Sequence, residues 1–514
     1  MKEKIKSTAN AGFSSPLMLA ISLIAASVGT GNIWRCPRVA ATNGGSAFIT
    51  AYVAIMVFLI LPVMIGEHCM GRATRKGTCG AFRDYMGHMS GGKWVNSLKG
   101  TWMGSFVWWV VIICAAYYVV VVAWIAYYLY LSITGQCFVE DKQGLFESVA
   151  NHNPVVVILF ILLQMVCAYG AYKGIKGIER SVKILLPILF FCLLIIAARS
   201  ITLPGASDGV NFMFSVHPAD LLNLTVWREA LVQALWSAGP GWAIWIAYGV
   251  YSKTKSDAVI TESVQAFGDM SVALLATTAI IPALFSVYGQ QVALEYCASG
   301  SNGLAFIALT GVFQTLPGGR FFAALFWIAL LCASITTQIA IISILYQPLA
   351  DLGLTPKKCA LIGGGLIILA GIPSAWSLDF FSNQDFVVGM GMIFGAGFSC
   401  IAFIKYGAEK MRQNFVNNPW TGLRYPKWWT YSVYVTPVLC LVIIVYFSVS
   451  SVAGNPLWYS LFQVESLGTY VIQLGVFGIL FAIANKWIYN HTTPMVFDGE
   501  HFSEPQDNGF STQH

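Results

Sequence analysis

Residues 27–35 read Ser-Val-Gly-Thr-Gly-Asn-Ile-Trp-Arg and interrupt an apolar run that starts near Pro16 and resumes at Ala40. Two glycines and several polar side chains therefore fall in the middle of a segment long enough to cross a bilayer. Unpaired backbone groups cost several kcal/mol each in hydrocarbon, so irregular chain survives there only beside a cavity or inside protein. Two interpretations stay open here: a mid-membrane binding site built on a broken helix, or a glycine kink in an ordinary span.

The composition is typical of a helical membrane protein with many spans. Hydrophobic residues make up 57% of the 514-residue chain and charged residues only 10%, whereas soluble domains carry about 25% charged residues. The 12 cysteines are scattered through apolar segments without metal-binding spacing, which indicates small buried hydrophobic side chains. No cleavable signal is expected, because the polar start is followed by a run long enough to span.

Runs of about 20 apolar residues predict twelve membrane spans. They lie near residues 16–40, 46–70, 103–133, 154–171, 181–199, 227–251, 259–288, 320–350, 358–376, 384–404, 430–452 and 468–489. Most of the 29 basic residues fall on the side of the two chain ends, and the positive-inside rule places that side in the cytoplasm. We expect a single transmembrane domain over 16–490, a cytoplasmic segment 1–15 and a disordered cytoplasmic tail 491–514. Residues 288–319 are expected to form a lid of short helices.

A second interruption lies in span 6, where residues 237–241 read Ser-Ala-Gly-Pro-Gly. Proline removes a backbone donor and glycine tolerates non-helical angles, so the helix breaks midway. Two interrupted helices in corresponding positions, first and sixth, are the pattern of an inverted-repeat transporter. The pattern favours the binding-site interpretation and predicts two five-span repeats, about 16–199 and 227–404, followed by two C-terminal spans at about 430–489.

Charged residues inside the spans need a reason, because ionisable groups in hydrocarbon are costly. Arg35 lies just outward of the first break and Asp385 opens span 10, so the two form an ion pair over a cavity or are unrelated interface charges. Glu67 either supports the broken helices or is an interface residue. Asp269, deep in span 7, either balances a bound cation or is protonated, which would couple transport to protons.

Oxygen-bearing side chains near the breaks are candidate cation ligands. A hard cation takes several oxygen ligands, and Asn32, Ser237 and Asp269 supply three. In span 8, Thr336 and Thr337 place two hydroxyls side by side. Such hydroxyls commonly bond back to their own helix, which is one interpretation. Beside the free carbonyls of the broken span 1 they are also candidates for a second cation site.

These segments together resemble the neurotransmitter:sodium symporters, the family with the leucine-transporter (LeuT) fold. The resemblance rests on Gly-Thr-Gly-Asn-Ile-Trp-Arg-Cys-Pro at 29–37, Asn-Gly-Gly-Ser-Ala-Phe at 43–48, Glu67 with Met-Gly-Arg at 70–72, Tyr117-Tyr118, Lys-Gly-Ile-Glu-Arg at 176–180 and Asp-Gly-Val-Asn-Phe at 208–212. With the motifs of spans 8 and 10 they follow the family's order from residue 16 to about 405. The resemblance implies an all-α membrane transporter that carries its substrate with Na⁺ by alternating access, as spans 1, 2, 6 and 7 rock against the rest.

The resemblance also implies roles for individual residues, by motif position. The first Na⁺ site would use Ser27, Asn32, Ser237 and Asp269, and the second Ala25, Val28, Ala333, Thr336 and Thr337. The substrate would contact Ala26, Ser27, Thr30, Gly31, Cys114, Tyr118, Val121, Trp236, Ser237, Gly239, Trp242, Thr337 and Ile341. Its carboxylate would meet the amides of Thr30 and Gly31 and the hydroxyl of Tyr118. The gates would be Arg35 with Asp385 outside and Asp351 with Tyr251 inside, and Glu67 would be structural.

Gly29 and the pocket residues narrow the substrate. Monoamine carriers of the family have an aspartate where this chain has Gly29, so the cavity is left free for a substrate carboxylate. The implied pocket is lined by aromatic side chains, cysteine, valine and isoleucine. We therefore expect a neutral, hydrophobic or aromatic amino acid as substrate.

Asp269 also bears on the anion requirement. Tyr52 and Gln233 remain of the residues that hold chloride in animal members, but Asp269 adds a fixed negative charge nearby. We expect chloride-independent transport, with the option that Asp269 takes up a proton on the return step.

The inner gate and the outer loop depart from the animal pattern. The expected places of an arginine and a tryptophan hold Asn10 and Phe13, which leaves Asp351 to pair with one of three lysines or with none. Those lysines are Lys2, Lys4 and Lys6. The first long outer loop has the single cysteine Cys137 and no glycosylation sequon, which favours a prokaryotic inner-membrane protein.

Two other functions of the same fold stay open. One is a non-transporting amino-acid sensor, which the lack of a signalling domain disfavours, and the other is an amino-acid/polyamine exchanger or proton-coupled carrier. We expect neither enzymatic activity nor an organic cofactor, because no nucleophile–base or metal constellation is visible. The expected partners are the substrate, sodium ions and membrane lipid, with no nucleic acid, and the chain is expected to be a monomer or weak dimer.

Overall fold

The computed structural model describes residues 12–216 and 218–504, and most of these residues are helical. Within these residues ten helices are long and apolar enough to cross a membrane, and the pair Pro16–Ser27 and Gly31–Thr42, bent by 61°, adds an eleventh span. The pair Leu224–Ala238 and Ile244–Tyr251 occupies the predicted sixth span. The twelve predicted spans are thus present in order, and the first and sixth are the broken ones.

The unbroken spans lie within a few residues of most predicted limits. Spans 2 to 5 are Ser46–Thr74, Leu98–Thr134, Pro154–Tyr172 and Gly174–Ile201; spans 7 to 10 are Ala258–Ala298, Gly319–Asp351, Pro356–Trp376 and Leu378–Tyr406; spans 11 and 12 are Trp428–Gly454 and Leu467–His491. Local sequence explains several starts, because Ser97, Asp257 and Ser466 cap spans 3, 7 and 12 with side-chain oxygens. Below, the halves of the broken spans are called 1a and 1b, and 6a and 6b.

Span 7 is longer than its apolar run. Its helix continues past Gly289, whose φ of 72° and ψ of 165° kink the chain, and ends at Ala298. The predicted lid between spans 7 and 8 is helical, with Gly303–Ala308 and Leu309–Thr315 following the kink. The strands His88–Ser90 and Lys93–Val95 form a small antiparallel hairpin. The sequence did not predict it, because strands of three residues are too short to show an alternating pattern.

Spans 3 and 8 lie at the centre of the molecule and the last two spans at its edge. In each of spans 3 and 8, 83% of the most apolar stretch is buried, but in spans 11 and 12 the buried share of that stretch is 22% and 11%. Span 8 packs against spans 3 and 5, and 1a packs against spans 7 and 8. The two helix breaks are therefore surrounded by protein rather than by lipid, which is where unpaired backbone is tolerated.

The tail after span 12 is packed, and the prediction of disorder is wrong for residues 492–504. Phe497 is buried and stacks on Tyr85 at 5.7 Å between ring centroids. Phe502 lies 3.8 Å from the guanidinium carbon of Arg72. The tail is polar in composition, but the contacts of its two phenylalanines and of the neighbouring arginines hold it in place. Residues 505–514, like residues 1–11, fall outside the described range.

The tail and the loops rich in lysine and arginine meet at one end of the spans, which we call the basic face. The loops between spans 7 and 8 and between spans 11 and 12 lie at the other end, the opposite face.

Candidate functional site

The break in span 1 is held by side chains from its own turn and from span 3. The amide of Gly29 donates to Asn32 Oδ1 at 3.1 Å, and the amide of Thr30 donates to the Tyr118 hydroxyl at 3.3 Å. A Cβ added to Gly29 would lie 2.7 Å from the Tyr118 hydroxyl. Residues 31–35 then continue as a wide π turn. Glycine at 29 therefore lets the backbone approach span 3 more closely than a side chain would permit.

The break in span 6 is held by Glu67. Gly239 and Gly241 take φ values of 70° and 83°, the left-handed region that glycine adopts without strain. The amide of Gly241 donates to Glu67 Oε1 at 2.9 Å, and the Ser399 hydroxyl donates to the same oxygen. Glu67 thus ties span 2 to the unwound segment of span 6 and to span 10.

A buried polar cluster joins the two breaks to spans 2 and 7. Asn32 Nδ2 donates to Asp269 Oδ1 at 2.9 Å and to Ser237 Oγ at 2.9 Å. The Ser237 hydroxyl donates to Asp269 Oδ2 at 2.7 Å, and the Tyr52 hydroxyl lies 3.3 Å from that oxygen. All four side chains are buried. The sequence-predicted residues of the first Na⁺ site are therefore in contact, and the Asp269 carboxylate accepts from three donors.

Gln265 belongs to the same region and was not predicted. Its Nε2 donates to Ser27 Oγ at 2.7 Å, and its Oε1 is buried with no hydrogen-bond partner in the described chain. The amide lies one turn before Asp269, on the same side of span 7. An uncharged glutamine stands out little in a span, but its spacing from Asp269 is a signal that sequence reasoning can use.

The candidate second ion site lies between 1a and span 8. Thr337 Oγ1 donates to the carbonyl of Val28 at 3.1 Å, across the two helices. Thr336 Oγ1 instead donates to the carbonyl of Ala333 at 2.8 Å, within its own helix. Ala25 is fully buried one turn before the break. Thr336 thus bonds back to its own helix, as the first interpretation expects, whereas Thr337 contacts span 1, as the second expects.

A cavity of about 460 Å³ opens beside the breaks and reaches loops of the opposite face. Its lining includes eleven of the thirteen residues expected to contact the substrate. The other two, Cys114 and Ile341, are buried and do not line it in this conformation. Span 10 adds lining side chains that sequence reasoning missed, among them Phe381, Met390 and Ile393. Aromatic and aliphatic side chains form much of the wall, and polar groups lie both at the two helix breaks and toward the opposite face, where Arg38, Asp385 and Glu465 line it.

The two residues expected to form the outer gate do not pair in this structure. Arg35 and Asp385 line the same cavity, but the Arg35 guanidinium donates to Gln233 Oε1 and lies 5.9 Å from the Trp236 ring. Among the described residues, the ion pairs within 4.0 Å do not include Arg35 with Asp385. The expected pair is therefore not formed here, because Gln233 takes up the guanidinium and the cavity separates the two charges.

The basic face is closed around Asp351. Asp351 Oδ2 accepts from the amide of Gly77 at 2.6 Å, and its carbonyl accepts from the amide of Thr493 in the tail at 2.7 Å. Tyr251, the expected partner, is buried at the end of 6b. The lysines at 2, 4 and 6 and Asn10 lie outside the described residues. Phe13 stacks on Tyr248 at 5.6 Å between ring centroids.

Arg75 fastens the closed face across several elements. Its guanidinium donates to the carbonyls of Val250 at 2.8 Å, Ser252 at 2.6 Å and Ser503 at 2.9 Å. Burial and the positive charge of the nearby Arg72 lower the pKa of Arg75 to about 9. The carbonyls supply the hydrogen bonds that make this burial tolerable. The end of span 2, the end of 6b and the tail are thereby held together.

The sequence model of the sodium:neurotransmitter symporter family matches residues 11–140 and 139–491 of this chain. The chain belongs to this family. It is therefore a sodium-dependent membrane transporter rather than an enzyme, and the inverted-repeat fold expected from the two broken spans agrees with this membership.

Individual relatives agree with the family. A protein named as an uncharacterized sodium-dependent transporter of Methanocaldococcus jannaschii is 27% identical over 462 residues, covering 86% of this chain and 90% of that one. The Bacillus subtilis transporter YhdH, also named as uncharacterized and sodium-dependent, is 29% identical over 383 residues, covering 72% and 80%. The crystal structure of MhsT in complex with L-phenylalanine superposes with a TM-score of 0.72 at 25% identity, covering 84% of this chain and 99% of that one.

Proposed function

We propose that this transporter is a symporter of neutral, hydrophobic or aromatic amino acids that is driven by Na⁺ and does not need chloride. The observation that carries the proposal is the cavity between the breaks of spans 1 and 6. Its wall includes Trp236, Trp242, Val121 and Phe381, which favour an apolar side chain. The MhsT structure, which superposes on this chain, holds L-phenylalanine.

The breaks supply groups for the polar end of an amino acid. The start of a helix favours negative charge, so a substrate carboxylate would sit at the start of 1b, near Thr30, Gly31 and the Tyr118 hydroxyl that now accepts from the Thr30 amide. Unwound carbonyls near the break suit the amino group. With glycine at 29, the chain has no acidic side chain there for a monoamine.

The first Na⁺ is proposed to bind among Ser27, Asn32, Ser237 and Asp269, where a substrate carboxylate would complete the ligands. Gln265 is added to this set, because its free, buried Oε1 lies on a side chain already bonded to Ser27. The second Na⁺ is proposed to bind the carbonyls of Ala25, Val28 and Ala333 and the hydroxyls of Thr336 and Thr337.

The contacts of Asp269 support independence of chloride. Tyr52 and Ser237 direct their hydroxyls at its carboxylate, so a protein-borne negative charge already occupies the place where those donors would hold an anion. A fixed carboxylate balances the bound Na⁺ without a mobile counter-ion.

The basic loops support an orientation in the membrane. We propose that the basic face is cytoplasmic in a prokaryotic inner membrane, with the two chain ends on that side, a single transporter domain over 16–490 and a monomer or weak dimer as the assembly. The cavity then opens outward, with the inner side closed at Asp351. Closing of the outer side would bring Arg35 and Asp385 together.

A substrate panel on protein reconstituted in liposomes tests the proposal. Uptake of labelled leucine under an inward Na⁺ gradient should be inhibited by tyrosine and tryptophan but little by glutamate, dopamine or lysine. Inhibition by glutamate or dopamine alone would contradict the proposed substrate class. Saturable binding without flux would indicate a sensor instead.

A further inference from the structure

His68 and Glu262 form a hydrogen-bonded pair that neither the substrate cavity nor the ion sites use. His68 Nδ1 lies 2.5 Å from Glu262 Oε1, and both side chains are fully buried. Each has a second polar atom, His68 Nε2 and Glu262 Oε2, that is buried without a hydrogen-bond partner in the described chain. A buried polar atom without a partner normally costs about 1–3 kcal/mol, so this arrangement calls for a reason.

The pair sits near the basic-face ends of two spans. His68 precedes the end of span 2 by less than two turns, and Glu262 lies in the second turn of span 7. Between the pair and the basic face, Arg72 donates to the carbonyl and hydroxyl of Ser256. Phe502 of the tail covers the Arg72 guanidinium. In the closed inner side, Arg72 and the tail thus separate the pair from cytoplasmic water.

Charges of both signs surround the pair. Span 2 contributes Glu67, Arg72 and the thiol of Cys69, and Arg75 lies just past its end. Arg72 is engaged by Ser256 and lies near Asp257 at the start of span 7. The half-span 6b, which approaches His68 at Gly249, adds only the phenols of Tyr248 and Tyr251. On span 7 the next acid is Asp269, two turns further in.

We propose that His68 and Glu262 are a proton-binding site, separate from the two sodium sites, that is titrated from the cytoplasm and controls opening of the inner side. The hydrogen bond between the two side chains holds one proton. A second proton, taken from cytoplasmic water, binds at the unpartnered nitrogen or oxygen and changes the net charge of the pair from −1 to 0. No other bond forms or breaks. The direction of control rests on the proposed orientation of the protein.

Burial sets the sign of the effect. In the sealed interior the neutral, doubly protonated pair is favoured, because a net charge there lacks solvation. When the inner side opens, water reaches the pair and stabilises its deprotonated form. Acid in the cytoplasm therefore holds the inner side closed and alkali favours its opening. A difference of one pKa unit between the two conformations changes their ratio by up to about tenfold.

Infrared difference spectroscopy tests the proton site without any transport. Wild-type protein in lipid, without Na⁺ or substrate, should lose a protonated-carboxyl or imidazolium band as pH rises, and Glu262→Gln should lack this change. Glu295→Gln, an exposed carboxylate on the same helix, is the control and should keep it. A pH-difference spectrum of Glu262→Gln identical to that of wild type would overturn the site.

Exchange from right-side-out vesicles tests the control of inner opening. With external pH fixed, raising internal pH should speed substrate exchange by up to about tenfold in wild type and Glu295→Gln. In Glu262→Gln and in His68→Gln the exchange rate should not depend on internal pH. His68→Gln replaces Glu262→Gln in the test if the latter fails to fold. An unchanged profile in both variants would overturn the proposal, whereas absence of exchange in wild type would instead contradict the proposed symport.

Discussion

Gly29 shows how one residue shapes the backbone path and also bears on the proposed substrate class. Its missing side chain lets span 1 approach span 3 until a Cβ would lie 2.7 Å from the Tyr118 hydroxyl and 3.1 Å from Thr337 Oγ1. The position is also where the related monoamine carriers have an acid. Here an acid would meet Tyr118 and Thr337 as well as altering the charge of the cavity.

Gly29→Ala should therefore weaken substrate binding by about tenfold or more, because inserting a methyl group against packed neighbours costs about 1–3 kcal/mol. Equilibrium binding of labelled leucine at saturating Na⁺ would measure the loss. Gly365→Ala is the control, since a Cβ at this helical glycine in span 9 meets nothing within 4 Å. Equal affinity of Gly29→Ala and wild type would show that the approach of spans 1 and 3 is not needed for binding.

Asp269→Asn should convert the transporter to one that chloride stimulates. The substitution removes the fixed charge but leaves the Tyr52 and Ser237 hydroxyls that now point at the carboxylate. In gluconate we expect Na⁺-driven uptake to fall about tenfold, equivalent to about 1.4 kcal/mol, and chloride to restore part of it. Wild-type uptake should be the same in either anion. Stimulation of wild type by chloride would contradict the role given to Asp269.

Among individual site residues, the sequence predicted mainly those that carry a charge or break a helix. Asn32, Ser237 and Asp269 were predicted together and lie in contact. Gln265 was missed, because an uncharged amide costs too little in a span to draw attention. The partner of Arg35 was also beyond reach, since Gln233 and Asp385 are both suitable acceptors and the conformation decides between them.

Among the elements, the spans follow directly from hydrophobic length and their breaks from glycine and proline. Those signals are strong because lipid permits almost no other backbone structure. The tail is the element that composition misrepresents. A polar segment is expected to stay solvated, but Phe497 and Phe502 pack into aromatic and cationic surroundings that only the folded basic face provides.

Phe497→Ala should release the tail from the basic face. Truncating a buried phenylalanine costs about 3–5 kcal/mol, more than the remaining short contacts of the tail are expected to supply. Limited proteolysis followed by mass spectrometry should then show cleavage within residues 492–504. Val496→Ala, at a neighbouring side chain that is 39% exposed, should stay protected like wild type. Equal protection of both variants would mean that the tail is held by other groups.

Taken as a whole, the molecule has one open end and one closed end. The cavity reaches the opposite face between Arg35 and Asp385, while Asp351, Arg75 and the tail seal the basic face. Alternating access requires a second conformation with these states exchanged. The two conformations share one sequence and differ by a small free energy, so sequence patterns predict the fold but not which conformation is seen.

The most direct test of Na⁺-coupled symport is accumulation of a neutral amino acid in proteoliposomes against its own gradient. With Na⁺ outside and K⁺ inside, internal labelled leucine should rise well above the external concentration and collapse when an ionophore dissipates the Na⁺ gradient. With equal Na⁺ on both sides it should only equilibrate. Accumulation driven equally well by a proton gradient without Na⁺ would contradict the account.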